Sequence, residues 1–319
     1  MTSAHRRGGA TPLAWAASVF VVFSLAVAGS AAGAHAAQGL RLTDAAGGTA
    51  EWWRPDSAPA HWRAPGLLAK RASWRRASEG VEWAELPVSG AGEASAIRLV
   101  ALRLDPRRLA FALRWGIEAK SGRPSWTLAD APHDATVAFN AGMFVDALPW
   151  GWVVSRGAEL LPPGRAPLAS AVVVRRDGTL AMPAGDALDA LRASGDVLEA
   201  FQSYPTLLTG DGDVPRALRE GEAIDRTHRD ARLAFGLDRD GRALLVLTRL
   251  DLGFAPLERL PVGLTVPEMA AVMGSLGAQR AVLLDGGISA QVQLREANGT
   301  HRAWRGSRAV PLALVVRGR

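Results

Sequence analysis

Apolar positions along the chain fall into three regimes. Leu13 to Ala28 is almost unbroken, preceded by His5, Arg6 and Arg7 and followed by small residues through Ala37. A basic start, an apolar run and the small-residue site Ala34-His35-Ala36 predict an export signal over residues 1–37. A retained single membrane anchor is the alternative, since the stretch is long enough for either. Residues 38–77 show no period and carry Trp52, Trp53, Trp62 and Trp74 among Arg, Pro and Ala. They predict a loosely structured lead-in that packs its tryptophans onto the main domain.

From Gly80 the pattern becomes β-rich. Val81–Val88, Ala96–Leu104 and Leu109–Trp115 read as strands, with Asp105-Pro106 turning between the last two. Thr136–Phe139 and Trp150–Val154 add short strands. Val172–Met182 and Arg232–Thr248 read as hairpins about Asp177-Gly178 and Asp240-Gly241. Asp186–Ala193 predicts a short helix and Pro267–Leu276 a better one. The latter opens with Thr265-Val-Pro-Glu268, in which the hydroxyl caps an orphan N–H and the carboxylate reaches back; Glu268 is therefore read as structural. Residues 78–319 form one α+β domain in this reading, with a mixed strand-rich core and a few helices.

The stretch Arg280–Leu294 stands apart. Ala281–Leu284 is an apolar run suited to a strand buried on both faces, and it stops at a carboxylate, Asp285. Gly286 and Gly287 permit unusual φ and close backbone approach. The chain then alternates, with Ile288, Ala290, Val292 and Leu294 on one face and Ser289, Gln291, Gln293 and Arg295 on the other. A plain Asp-Gly hairpin is the alternative to a functional turn.

Composition narrows the classes. There is no cysteine, which removes disulfides, thiolate nucleophiles and Cys-based zinc sites together. The net charge of +6 is spread along the chain rather than gathered, so no nucleic-acid partner is expected. The six histidines show no metal-binding spacing, and no Gly-x-Ser-x-Gly elbow, Walker loop or dinucleotide fingerprint occurs. What remains is Asn140, Gln202, Arg232 and Asp285, each near a strand end or turn and flanked by Gly, Pro or small residues.

Five segments in order then carry a resemblance: Asn140-Ala-Gly-Met-Phe144, Gln202-Ser-Tyr-Pro205, Arg232-Leu-Ala-Phe-Gly236, Leu264-Thr265 with Glu268 and Ala270, and Ala281-Val-Leu-Leu-Asp-Gly-Gly-Ile-Ser289. Over residues 78–317 the series resembles the phosphodiester glycosidase domain, the family of the lysosomal "uncovering" enzyme and of many exported bacterial proteins. The resemblance implies removal of a sugar, typically N-acetylglucosamine, from a sugar-1-phosphodiester. Departures from the family pattern are Ala141, Met143, Leu233, Ile288, Ala290 and Gln291; Asn140, Gly142, Arg232, Asp285, Gly286, Gly287 and Ser289 are kept.

The chemistry fits few groups. Ordinary glycosides need two carboxyl groups because an alkoxide must be protonated as it leaves. A phosphodiester's phosphate departs as a stable anion, so one carboxylate at the anomeric carbon and one cation on the phosphate are enough. Asp285 is the expected carboxylate, as nucleophile or as base for water, and Arg232 the expected bidentate phosphate holder. The Gly286 and Gly287 amides would form an anion nest beside Gly142. Asn140, Gln202 and Ser289 would bond sugar hydroxyls or phosphate oxygens. A buried Asp285–Arg232 ion pair is the structural alternative. No cofactor is required, and a divalent ion shared by Asp285 and phosphate oxygens is left open. The expected partner is a sugar-1-phosphodiester or envelope glycan, in the periplasm or outside the cell, with membrane contact only through an uncleaved N-terminus. A non-catalytic carbohydrate-binding or envelope-assembly protein on the same scaffold is the competing function.

Overall fold

Alternation along two central strands decides how the layers stack. In Leu233–Asp238, Leu233, Phe235 and Leu237 join one buried cluster and Ala234 the other. In Ala278–Leu284, Val282 and Leu284 divide from Ala281 and Leu283 in the same way. Strands that bury both faces must lie in a middle layer. The computed structural model, which describes residues 39–43, 47–220, 224–253 and 255–319, shows that arrangement.

The middle layer is a nine-stranded sheet. From one edge its strands are Thr206–Leu208, Ala278–Leu284, Leu233–Asp238, Ala243–Leu250, Ile97–Leu104, Val81–Ser89, Leu40–Thr43 and Thr49–Trp53, with Arg75–Ser78 paired to Val81–Ser89. One face is covered by the helix Val266–Ser275, whose core-facing residues include Met269, Val272 and Met273. The other face packs on two five-stranded sheets. One contains Val292–Arg295, Val137–Asn140 and Leu312–Gly318; the other centres on Val197–Ser203 and Ser170–Arg175. Phe139 of the first stacks on Phe235 of the large sheet, ring centroids 6.2 Å apart. The helix Asp186–Ser194 covers the outside of the second through Leu188. The domain is thus strand-rich with few helices.

Local expectations map closely onto these elements. The Asp240-Gly241 turn joins two strands paired from Leu233↔Leu247 to Leu237↔Ala243, with Gly241 at φ 77°. The residue 38–77 stretch holds more regular structure than its irregular pattern predicts: Leu40–Thr43 and Thr49–Trp53 extend the large sheet, and Leu67–Arg71 is a short helix. Trp52, Trp62 and Trp74 pack against the helix-side core. The export-signal reading of residues 1–37 lies outside the described residues. No described helix is long and apolar enough to cross a membrane.

One expectation is corrected. Asp285-Gly286 is not a hairpin turn, and the alternating strand does not begin at Ile288. Gly287–Ser289 forms a 3-10 turn, and the strand starts at Val292 in a different sheet from the one Ala278–Leu284 occupies. The polar face of that strand is also buried: Gln291 and Gln293 are each 2 % exposed. Its glutamines are tolerated because they find partners, Gln291 Oε1 accepting the Leu128 N–H at 3.2 Å.

Candidate active site

Asp285 stands where the chain leaves the large sheet and crosses to the five-stranded one. Its backbone is clamped from the end of the Val137–Asn140 strand. The Asp285 N–H donates to the Gly142 carbonyl at 2.8 Å, and Asn140 Nδ2 donates to the Asp285 carbonyl at 2.9 Å. Asn140 Oδ1 accepts the Gln291 N–H at 2.9 Å, so one fully buried amide ties both ends of the crossing. Gly142 sits at φ 80°, and a Cβ there would lie 3.2 Å from the Gln202 carbonyl oxygen.

The two glycines let the crossing lie flat on residues 230–232. A Cβ on Gly286 would meet the Ala231 oxygen at 2.4 Å. Gly287, at φ 53°, donates its N–H to the same oxygen at 2.7 Å. A Cβ on Gly287 would stand 3.1 Å from Asp230 Oδ2. Glycine is required here by approach as well as by φ.

The Asp285 carboxyl is perturbed by this packing. Burial pushes its pKa above the ordinary carboxylate range, and the charge of Asp230 pushes the same way. A hydrogen bond from the Ser289 hydroxyl, the charge of Arg308 and the Gly286 N–H pull it back. Asp230 is raised too, by burial first, with Arg232, the Ala231 N–H and His228 opposing. Its Oδ1 is sealed from solvent and has no hydrogen-bond partner. Two neighbouring carboxyls raised by burial mark a candidate functional site.

Arg232 lies at the start of the strand beside Asp285, with Leu233 paired to Leu284. Its N–H donates to Thr248 Oγ1 at 2.7 Å. Within the guanidinium, Nε donates to the Leu264 carbonyl at 2.8 Å and Nη2 to the His228 carbonyl at 2.7 Å. Burial lowers its pKa, offset by Asp230, Asp225 and Glu268. No ion pair joins Arg232 to Asp285 among the described residues. Glu268 is occupied elsewhere, pairing with Arg229 through both oxygens at 2.5 and 2.8 Å and closing the capping box with Thr265.

Several expected contacts are therefore corrected. The Nε edge of Arg232 is spent on a backbone carbonyl, so a side-on bidentate grip is closed; the Nη1/Nη2 end is what remains. Of the two glycine amides, that of Gly287 is spent on the Ala231 carbonyl, so only the Gly286 amide could still serve an anion. Gln202 is held by backbone: Oε1 accepts from Trp152 and Gly164 at 3.0 and 2.8 Å, and one Nε2 hydrogen goes to the Gly164 carbonyl at 3.0 Å. It shapes the wall next to Gly142, with its second Nε2 hydrogen left to offer. Asn140, with both ends on backbone, positions Asp285. Ser289, 2 % exposed, serves the Asp285 carboxyl as a donor.

Asp230 and Arg308 were not legible as site residues. Asp230 sits in an ordinary polar run, His228-Arg-Asp-Ala231. Its closeness to the site depends on the bridge to Leu264, made by backbone bonds of 3.3 and 3.0 Å. Among the described residues no group of three or more His, Cys, Asp or Glu gathers as a metal site.

The structure is similar to that of the catalytic domain of zebrafish N-acetylglucosamine-1-phosphodiester alpha-N-acetylglucosaminidase, auto-inhibited by its pro-peptide. That likeness has a TM-score of 0.57 at 17% identity, over 78% of this chain and 87% of that one. A hypothetical protein from Synechocystis is similar at TM-score 0.49 and 18% identity, over 76% of this chain and 63% of that one. A search of curated proteins found no match. The likeness to the zebrafish catalytic domain speaks to fold. Residues 133–317, more than half of the sequence and the part that holds Asn140, Arg232 and Asp285, match the phosphodiester glycosidase family, to which this chain belongs.

Proposed function

We propose that the protein hydrolyses a sugar-1-phosphodiester, releasing a sugar of the N-acetylglucosamine type from phosphate. The observation that carries this reading is Asp285: a desolvated carboxyl whose N–H and C=O are both held by the Asn140–Gly142 segment. A group fixed in this way is preorganised to act at one carbon. Asp285 faces the anomeric carbon, and its negative charge stabilises the positive charge that develops there. The Nη1/Nη2 end of Arg232 holds a phosphate oxygen as the C1–O bond lengthens. The phosphate leaves with the electron pair as a stable anion, so no strong acid is needed at the leaving oxygen.

Its proposed setting is the periplasm or the cell exterior, the address an export signal over residues 1–37 would give, with envelope or exopolysaccharide glycans as the source of such diesters. The competing reading is a carbohydrate-binding protein on the same scaffold. A panel of sugar-1-phosphodiesters incubated with the purified protein separates the two. Free sugar should appear with wild type, and Asp285→Asn should lower turnover by roughly 10³-fold while still binding the diester. Binding without turnover by wild type would leave the binding protein.

A further inference from the structure

Asp230 has no place in the chemistry above, yet it lies against the same turn. Its carboxyl meets the bare Cα side of Gly287, where a Cβ would come within 3.1 Å of Oδ2 and 3.2 Å of Oδ1. The backbone on either side of it is fixed. Asp230 bridges Leu264 through two backbone bonds, and the next carbonyl, of Ala231, accepts the Gly287 N–H at 2.7 Å. Of its two oxygens, Oδ1 is sealed without a hydrogen-bond partner, so a reactant can be met only through Oδ2, beside the Ala231 N–H that acts on the same carboxyl. No ion pair neutralises it among the described residues, although Arg232 stands two positions along. A buried acceptor left unpaired is expensive, and a fold keeps one where it has a use.

We infer that Asp230 is a second catalytic carboxylate, the base that takes a proton from the attacking water while Asp285 faces the anomeric carbon. The inference rests on the reading of the site as a sugar-1-phosphodiester hydrolase. In the step, the water oxygen bonds to C1 as the C1–O bond to phosphate breaks. The electron pair of that bond leaves with the phosphate monoester, and the water's proton ends on Asp230 Oδ2. Burial raises the proton affinity of Asp230 against the pull of Arg232, the Ala231 N–H and His228, which suits it to the task. The two carboxyls thus divide the work, one stabilising charge at carbon and the other handling the proton.

Azide tests this directly, because it attacks C1 as an anion and has no proton to lose. The probe is the methyl phosphodiester of α-N-acetylglucosamine 1-phosphate, with wild type, Asp230→Asn, Asp230→Ala and Asp285→Asn compared. Asp230→Asn should lose about 10²-fold or more in kcat with KM little changed. Added azide should restore turnover in both Asp230 variants, with glycosyl azide as product, and should not restore Asp285→Asn. The alanine variant guards against an asparagine that blocks azide. Wild-type kcat in Asp230→Asn would overturn the inference, and so would a loss that azide fails to repair in either variant. An inert wild type would instead bring down the hydrolase reading, and this inference with it.

Discussion

Holding Asp230 and Asp285 in a desolvated turn has a consequence for stability that is separate from turnover. Both carboxyls have folded pKa values raised above the ordinary 3.8. A raised carboxyl favours the folded state while it is protonated. That contribution is fully present below the unfolded value and is lost as pH rises through the folded one. Arg232 and His228 face Asp230, and Arg308 and Ser289 face Asp285, but they do not cancel the rise. Replacing Asp230 by Asn removes the charge and keeps the shape. Asp230→Asn should therefore melt at a higher temperature than wild type at about pH 7, and the gap should close at about pH 3.5, where wild type is protonated too. Thermal unfolding at the two pH values decides it; an unchanged or lower Tm at pH 7 would mean that Asp230 is already well compensated. Stability surrendered at a site for the sake of reactivity is a familiar pattern.

At the scale of elements, the helix Val266–Ser275 shows what a local pattern can and cannot announce. Thr-x-x-Glu before an apolar run gave its start, and the capping box forms as written. The sequence could not show that Glu268, 3 % exposed, also takes Arg229 in a two-point grip. Glu268→Ala would remove a cap partner and leave the Arg229 cation half-buried and unpaired. It should cost about 3 kcal/mol in urea unfolding, against about 1 kcal/mol for Thr265→Ala. Equal losses would show that the cap alone matters. Turn chemistry was legible for the same reason as the cap, since Asp-Gly at residues 177–178 and 240–241 acts through its own backbone. Ile288–Leu294 misled because alternation says nothing of where a strand begins once two glycines precede it. Gly287 takes a left-handed φ, and the strand cannot resume until Asn140 captures the Gln291 N–H.

At the scale of the molecule, pairing was the illegible part. The central strands are apolar on both faces, so the pattern says that they are buried but not which strands they pair with, and the meeting of Asn140, Asp230 and Asp285 follows from partners. Asn140 and Asp285 could be singled out as a polar group ending a buried strand; Asp230 could not, because its approach is made by a neighbouring sheet position. The contact between layers near the site also depends on a residue with no sequence signal, Arg249 of the strand Ala243–Leu250. It is 3 % exposed, and burial lowers its pKa to about 10, so it stays cationic at neutral pH. Nη2 donates to the carbonyls of Ala290, Trp304 and Arg305, and Nη1 donates to that of Thr248 at 3.2 Å. One side chain of the large sheet thus satisfies the backbone of the segment that follows Ser289 and of the strand end that packs over it. Arg249→Met would fill much of the same volume and orphan those acceptors. It should cost about 3 kcal/mol by urea unfolding, while Arg249→Lys, with one point of donation, should recover less than half. The crossing at Asp285 is held by this cation from one side and by Asn140 from the other. Turnover per folded molecule should accordingly fall in Arg249→Met as well, whereas a pure stability defect would leave it at the wild-type value.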